Sequence, residues 1–261
     1  MRRFAPREAL AGCASALTCY AERTPQALSR RQVATVGAVL FVTWGDPLEV
    51  RTGEVAGSFA AFVAGVSDGP ALTGHEGCQE GIGIHLSALG VTRLLGVPGS
   101  ELANRCVSLD EVLGKGAAEV VERLSAIRSP GQRVAVLQAA LAARLDSRAI
   151  LAPEVVYVCE KLLARPASHI DELAAEIGWS RTRLASRFSE QVGLSPKRFA
   201  RVVRFERACR LLRQGRSTLA EVALRAGYFD QAHLCRDVAS FAGCTPSALA
   251  GELASGAVSD L

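Results

Sequence analysis

Residues 170–216 read IDELAAEIGWSRTRLASRFSEQVGLSPKRFARVVRFERACRLLRQGR, and this stretch decides the fold. Leu173, Ala174 and Ile177 recur at helical spacing on one face of a short helix that starts at Ile170. Gly178 breaks that helix, and Ser180 is placed to cap the next one by accepting a backbone N–H. In the second helix Leu184, Phe188 and Val192 form a single apolar stripe, which must face the first. A short helix, a glycine-containing turn and a second helix with a buried stripe make a helix-turn-helix. Gly193 then ends the second helix, and Ser195-Pro196 opens a third with an N-cap followed by proline at the first helical position. This third helix, running to Leu212, turns Phe199, Val203, Ala208, Leu211 and Leu212 inward.

Outward from there the pattern repeats. Thr218 to Ala250 reads TLAEVALRAGYFDQAHLCRDVASFAGCTPSALA. Leu219, Val222, Ala223 and Ala226 give a small apolar helix face and Gly227 the break. Asp230 caps a second helix with Leu234, Val238 and Phe241 inward, and Gly243 with Thr245-Pro246 repeats the ending seen at Gly193. Gly178 to Gly193 spans 15 positions and Gly227 to Gly243 spans 16. Two helix-turn-helix units joined by one long helix form a tandem reader.

Charge says what such a unit is for. Between Gly178 and Arg216 ten Arg and Lys197 stand against Glu190 and Glu206, a net of +9. The whole chain is only +4, so the remainder carries −5. A basic element on a mildly acidic body is the electrostatic footprint of a polyanion partner. Its coincidence with a helix-turn-helix favours nucleic acid over an ordinary solvated helix surface.

These residues carry a family resemblance. Ile170 to Leu249 resembles the DNA-binding domain of the AraC/XylS family of bacterial transcription regulators, through LAAEIGWSRTRLASRF, the GLSPKRFARVVRFERACRLL joining helix, and the AGYFDQAHLCRDV and AGCTPSAL of the second unit. The resemblance implies seven helices, with two reading helices entering successive major-groove segments on one face of the DNA. It implies double-stranded DNA and RNA polymerase as partners, and leaves room for a small-molecule effector and a homodimer. The fold class expected is α+β: a barrel or cupin-like N-terminal domain with flanking helices over residues 1–150, then an all-α tandem helix-turn-helix domain over residues 151–261.

The 261 residues suffice for two medium domains, and 49% hydrophobic content with dispersed charge indicates a globular chain. No run reaches the roughly 18 apolar residues of a membrane span. Arg2-Arg3 and Leu10-Ala11-Gly12-Cys13 superficially resemble an export signal, but Pro6, Arg7 and Glu8 lie where an apolar core should be, so a cytoplasmic protein is expected. Residues 1–30 are read as a weakly ordered or peripheral lead-in. The eight cysteines form no CxxC, and free, buried thiols are the favoured reading.

Between Arg31 and Ala88 the chain reads as β. The apolar runs are Ala34 to Val42, Glu54 to Val66 and Gln79 to Ala88, separated by glycine- and proline-rich turns. Ile82, Ile84 and Leu86 mark one buried face and leave His85 on the other. The run FVAGVSDGPALTGHEGCQEGIGIHLSALGVTRLLGVPGSEL resembles the sensor half of an actinobacterial subgroup of the same family. His75 and His85 lack the HxH and the nearby His/Glu set of a cupin metal site, and Glu76 and Glu80 sit in or beside a probable turn, so no metal, cofactor or catalytic residue is expected. The competing readings are a thiol- or metal-responsive sensor, with Cys78 near His75, and a cupin-type metalloenzyme fused to a DNA-binding part.

From Val91 the chain turns helical. VTRLLG, a short piece at Ser100-Glu101, Lys115 to Arg128 and Arg133 to Leu145 are expected helices that either dock on the sheets or pair with a second subunit. Ser129-Pro130-Gly131 reads as punctuation, Asp146 to Pro153 as the linker, Pro153 to Ala164 as the helix preceding the first unit, and the tail beyond Gly251 as frayed.

The DNA contacts follow from the helix wheel. Opposite Leu184 and Phe188 lie Arg181, Thr182, Ala185, Ser186 and Ser189, with Arg183 and Arg187 on or beside that face. Thr182 and Ser186 are short, offering only weak or water-mediated readout, and Ala185 suits a thymine methyl, so the arginines there serve phosphates. In the second unit the outward face carries Gln231, Ala232, Cys235, Arg236 and Ala239. Gln231 suits adenine and Arg236 suits guanine O6/N7, unless Arg236 is taken by a phosphate, Asp237 or Asp230.

Overall fold

The structure, a computed structural model, describes residues 1–52, 55–114, 116–145 and 151–258. The first ninety residues build two antiparallel sheets. In chain order the strands are β1 (Arg2–Phe4), β2 (Ala14–Arg23), β3 (Leu28–Gln32), β4 (Ala38–Thr43), β5 (Leu48–Thr52), β6 (Val55–Phe59), β7 (Ala61–Ala64), β8 (Ala71–His75) and β9 (Cys78–Leu86). With β10 (Cys106–Ser108), they form a six-stranded sheet in the order β1-β2-β9-β4-β7-β10 and a four-stranded sheet in the order β3-β8-β5-β6. The sheets stay separate and do not close into a barrel.

The apolar run from Glu54 to Val66 is two strands. The chain bends at Ala60, sending β6 to the small sheet and β7 to the large one. Glu54 itself lies outside the described residues. Between the sheets Phe62 packs at a tilt against Phe41 on one side and Phe59 on the other, with centroids 5.3 and 5.6 Å apart, beside Leu48 and Val50.

The larger core lies on the six-stranded sheet, where Leu17, Leu40, Val42, Val63, Ile82 and Ile84 meet helices. These helices are α1 (Ala88–Leu95), α2 (Gly99–Leu102), α3 (Leu109–Leu113), α4 (Gly116–Ala126) and α5 (Pro130–Ala142). The Ser129-Pro130-Gly131 punctuation is a helix start, because Pro130 at the first helical position loses no needed N–H. Arg133 in α5 is buried; its guanidinium donates to Glu80 at 2.5 Å and lies 3.9 Å over the Trp44 ring. Lys115 of the predicted helix lies outside the described residues.

Two expectations at the chain ends are corrected. Residues 1–30 are not a lead-in: β2 is ten residues long and lies between β1 and β9, with Leu17 fully buried. The tail beyond Gly251 is not frayed up to Val258, since Leu253 and Val258 are buried and Val258 bridges to Arg31. Small and polar residues in ASALTCYAER give little hydropathy contrast, and two isolated apolar residues near a terminus, Leu253 and Val258, give less.

The rest of the chain is helical: α6 (Pro153–Ala164), α7 (Ile170–Glu176), α8 (Arg181–Val192), α9 (Pro196–Gln214), α10 (Leu219–Ala226), α11 (Gln231–Ala242) and α12 (Pro246–Ser255). Phe188 packs edge-on to Phe199 at 5.4 Å, and Phe205 to Phe241 at 5.4 Å, so α9 anchors both units through one aromatic pair each. Of the expected linker, residues 146–150 lie outside the described residues, while Leu151 is buried and the Ala152 N–H donates to Gln191 Oε1.

The sheet half grips this helical half at several points. Val33, Ala34, Val36, Val66, Ala88 and Leu89 belong to the same buried cluster as Phe188, Phe199 and Phe241. Arg31 pairs with Glu252 at 2.7 Å and donates to the Ala242 carbonyl, and the Ala34 N–H donates to the Phe241 carbonyl at 3.0 Å. Asp68 pairs with Arg198, and Thr92 donates its hydroxyl proton to the Gln191 carbonyl. Close approach is required here: a Cβ on Gly99 would meet the Gln191 carbonyl oxygen at 2.6 Å.

Glu206 of α9 is held in the same seam, accepting from Thr35 Oγ1 and the Val36 N–H, each at 2.9 Å. Burial raises its carboxyl pKa above the ordinary 4.5, against those two hydrogen bonds and Arg210, which pull it down. The folded state therefore keeps this proton more readily than the unfolded chain, and stability falls as pH rises through the window above 4.5. Glu206→Gln keeps an acceptor for Val36 and removes the titration. Thermal unfolding across pH is expected to show a flatter profile above pH 4.5, with the variant at least as stable as the wild type at neutral pH. An unchanged slope would assign that dependence to another group.

Candidate nucleic-acid interface

Each reading helix is set by the same local grammar. Ser180 caps α8 by accepting from the Arg183 N–H, and Asp230 caps α11 by accepting from the His233 N–H at 2.6 Å. Gly193 and Gly243 end these helices in the left-handed region, at φ 100° and 66°, where a side chain is strained. Thr218 and Glu221 form a capping box on α10, and accepting from Thr218 holds the Glu221 carboxyl below its usual range.

The buried stripes are those expected: Leu184, Phe188 and Val192 in α8, and Leu234, Val238 and Phe241 in α11. On the opposite face of α8, Arg181, Thr182, Arg183, Ser186 and Arg187 are exposed, while Ala185 and Ser189 are half-buried. On α11, Gln231, Ala232 and Arg236 are exposed and Cys235 is half-buried.

The α8 arginines are not idle in the free protein. Arg181 lies 3.4 Å from Asp171, Arg183 stacks 4.6 Å over Trp179, and Arg187 pairs with Glu190 at 2.9 Å. All of these ion pairs are surface contacts of little net strength, so a phosphate can replace the carboxylate. Arg236 differs. Asp237 is buried against Arg201 at 2.7 Å and Asp230 is spent on its cap, so neither carboxylate holds Arg236 among the described residues.

Sequence reasoning missed the polar seam under α11. Arg201 and Arg204 of α9 count toward the +9, yet both turn inward: Arg201 to Asp237 and 5.0 Å over Phe241, Arg204 5.6 Å over the Tyr228 ring. Burial and the Asp237 carboxylate push the Tyr228 phenol pKa up. Arg207 similarly donates to the Leu163 and Ala164 carbonyls. The recoverable signal was Asp237, an acid at a position of α11 adjoining the buried stripe.

No group of three or more metal-ligating side chains occurs among the described residues. His75 is buried, with Nε2 at 3.5 Å from Glu22 and Nδ1 accepting from the Gly77 N–H, while Glu22 also pairs with Arg30. Burial pushes the Cys159 thiol up to about 12, and the Cys209 thiol up as well, so neither is a ready thiolate. No described helix is long and apolar enough to cross a membrane.

Residues 173–251 match the family model described as a helix-turn-helix domain. Over 79 residues the chain is 34% identical to an uncharacterized HTH-type transcriptional regulator of Haemophilus influenzae. Over 79 residues it is 33% identical to the HTH-type transcriptional regulator MtrA of Neisseria gonorrhoeae. Each match covers 30% of this chain and 26% of the relative, so the shared part is about a quarter of those proteins. Across nearly the whole chain the fold is that of ToxT from Vibrio cholerae, with a TM-score of 0.52 at 10% identity, covering 90% of this chain and 98% of that one. The C-terminal part is thus a helix-turn-helix domain of the AraC type, behind a sheet-rich half folded like that of ToxT.

Proposed function

We propose that the chain is a sequence-specific DNA-binding transcription regulator in which residues 1–150 control a DNA-binding half, residues 151–261. The observation that carries this reading is the pair of capped helices, α8 and α11, presenting exposed polar and basic faces from one shared core. Double-stranded DNA is the partner that two such helices fit, and RNA polymerase the one that the family resemblance implies.

Control from the sheet half is supported by β3. Its first residues, Leu28 and Ser29, line an open-sided cavity of about 620 Å³ on the small sheet together with the exposed Glu49, Arg51 and Leu72 and the buried His75. A few residues on, the same segment grips the ends of α11 and α12 through Arg31 and Ala34. A small molecule in that cavity would bear on the contacts that hold the reading helices. ToxT has been solved bound to (E)-4-(8-methylnaphthalen-1-yl)but-3-enoic acid, and an effector of this chain is proposed by analogy with that fold.

The division of labour between the helices tests the proposal. Arg236→Ala is expected to cost about 1–3 kcal/mol at a selected site and to relax preference at one base pair. Arg187→Ala is expected to weaken selected and scrambled DNA alike, with a shallower salt slope. Titrations of both variants on both duplexes decide it. Equal losses on the two DNAs for Arg236→Ala would move that residue to the backbone and leave Gln231 as the main reader.

A further inference from the structure

The two turns differ by one residue, and that residue is Phe229. In the first unit Gly178 is followed by Trp179 and then the cap, Ser180; in the second Gly227 is followed by Tyr228, Phe229 and then the cap, Asp230. The turns otherwise match: the Trp179 N–H donates to the Ala174 carbonyl and the Tyr228 N–H to the Ala223 carbonyl, each at 2.9 Å. Tyr228 takes the packed position and is 4% exposed. The additional residue is left outside it, with Phe229 at 93% exposure.

Phe229 is presented on a fixed backbone. Tyr228 is pinned on one side by its hydrogen bond and its burial, and Asp230 on the other by its cap to His233 at 2.6 Å. The side chain thus stands at the entrance of α11, one residue before the cap and two before Gln231. Leu224, 77% exposed, lies in the last turn of α10, and its carbonyl accepts from the Gly227 N–H. The residues at the start of a reading helix are those that approach base edges, and an aromatic ring there finds one apolar partner in the major groove, the thymine C5-methyl.

We infer that Phe229 is a specificity-determining residue, its ring lying against a thymine methyl at the edge of the segment read by α11. The inference rests on the DNA-binding reading above. It adds an apolar contact to the polar readout by Gln231 and Arg236, and it assigns thymine as the base.

The test replaces thymine with deoxyuridine, one position at a time, in a selected binding site, and measures the full chain and Phe229→Ser by titration. The wild type is expected to lose about three- to tenfold in affinity at one substituted position, the scale of one buried methyl. Phe229→Ser is expected to lose a similar factor on the unmodified site and to be indifferent to the substitution at that position. Phe229→Leu should keep part of the discrimination. The unfolding midpoint of each variant should match the wild type, because the ring contributes nothing to the core. Equal sensitivity of wild type and Phe229→Ser to every deoxyuridine would overturn the inference. So would unchanged DNA affinity with lost transcriptional output, which would make Phe229 a contact for a protein partner. If the wild type binds no duplex, the DNA-binding reading itself fails, an outcome distinct from a failure at Phe229 alone.

Discussion

Raising salt from 50 to 200 mM is expected to cost the full chain roughly three to five decades of DNA affinity, the range for about 6–10 neutralised phosphates. The structure places the expectation at the lower end. Of the basic residues between Gly178 and Arg216, Arg201, Arg204 and Arg207 are turned to Asp237, Tyr228 and two carbonyls, and Arg198 is paired with Asp68. Arg181, Arg183, Arg187, Lys197, Arg210 and Arg216 are exposed, and Arg236 joins them from α11. About seven contacts give a slope near −6 in log affinity against log salt, or about 10³–10⁴ over that range. The measurement is a titration series at fixed duplex length. A response that is flat in salt would sink the DNA-binding reading outright, because no other term in the interface is so strongly screened.

The helical half was legible because its signals are local. Ser180, Ser195, Asp230 and Thr245 each accept from the N–H three residues on, and Gly178, Gly193, Gly227 and Gly243 each take positive φ, so every boundary is written in one or two residues. The sheets were legible only where apolar residues cluster, as in β9. β5 and β8 carry Glu49, Arg51 and Thr73 among their few apolar residues and went unread. β6 and β7 were read as one strand, since nothing in an unbroken apolar run marks the bend at Ala60.

Contacts between the halves leave no local trace at all. Arg31 and Glu252 are 221 positions apart, Thr35 and Glu206 are 171 apart, and each residue taken alone is an ordinary surface type. The same holds within the candidate interface. The outward residues of α8 and α11 could be placed from periodicity, yet counting charge treated Arg201 and Arg204 as phosphate ligands. Only the packing of α9 under α11 reveals them as supports.

That support leads to the largest expected loss of stability. Asp237 is 2% exposed and is paired with Arg201, whose guanidinium also covers Phe241. Arg201→Leu leaves the carboxylate buried beside the Tyr228 ring, and removing one partner of such a pair typically costs about 3–5 kcal/mol. The loss should fall on the second unit, since Phe205, Phe241 and Tyr228 share that seam, and selected-site binding should fall with it. Arg201→Leu with Asp237→Leu removes both charges and is expected to recover most of the stability, as apolar replacement of a buried pair is often neutral. Denaturant unfolding of the full chain in the wild type, both single variants and the double variant measures the coupling directly. Additive losses would mean that the two side chains act independently, and α11 would then be held by its aromatic packing alone.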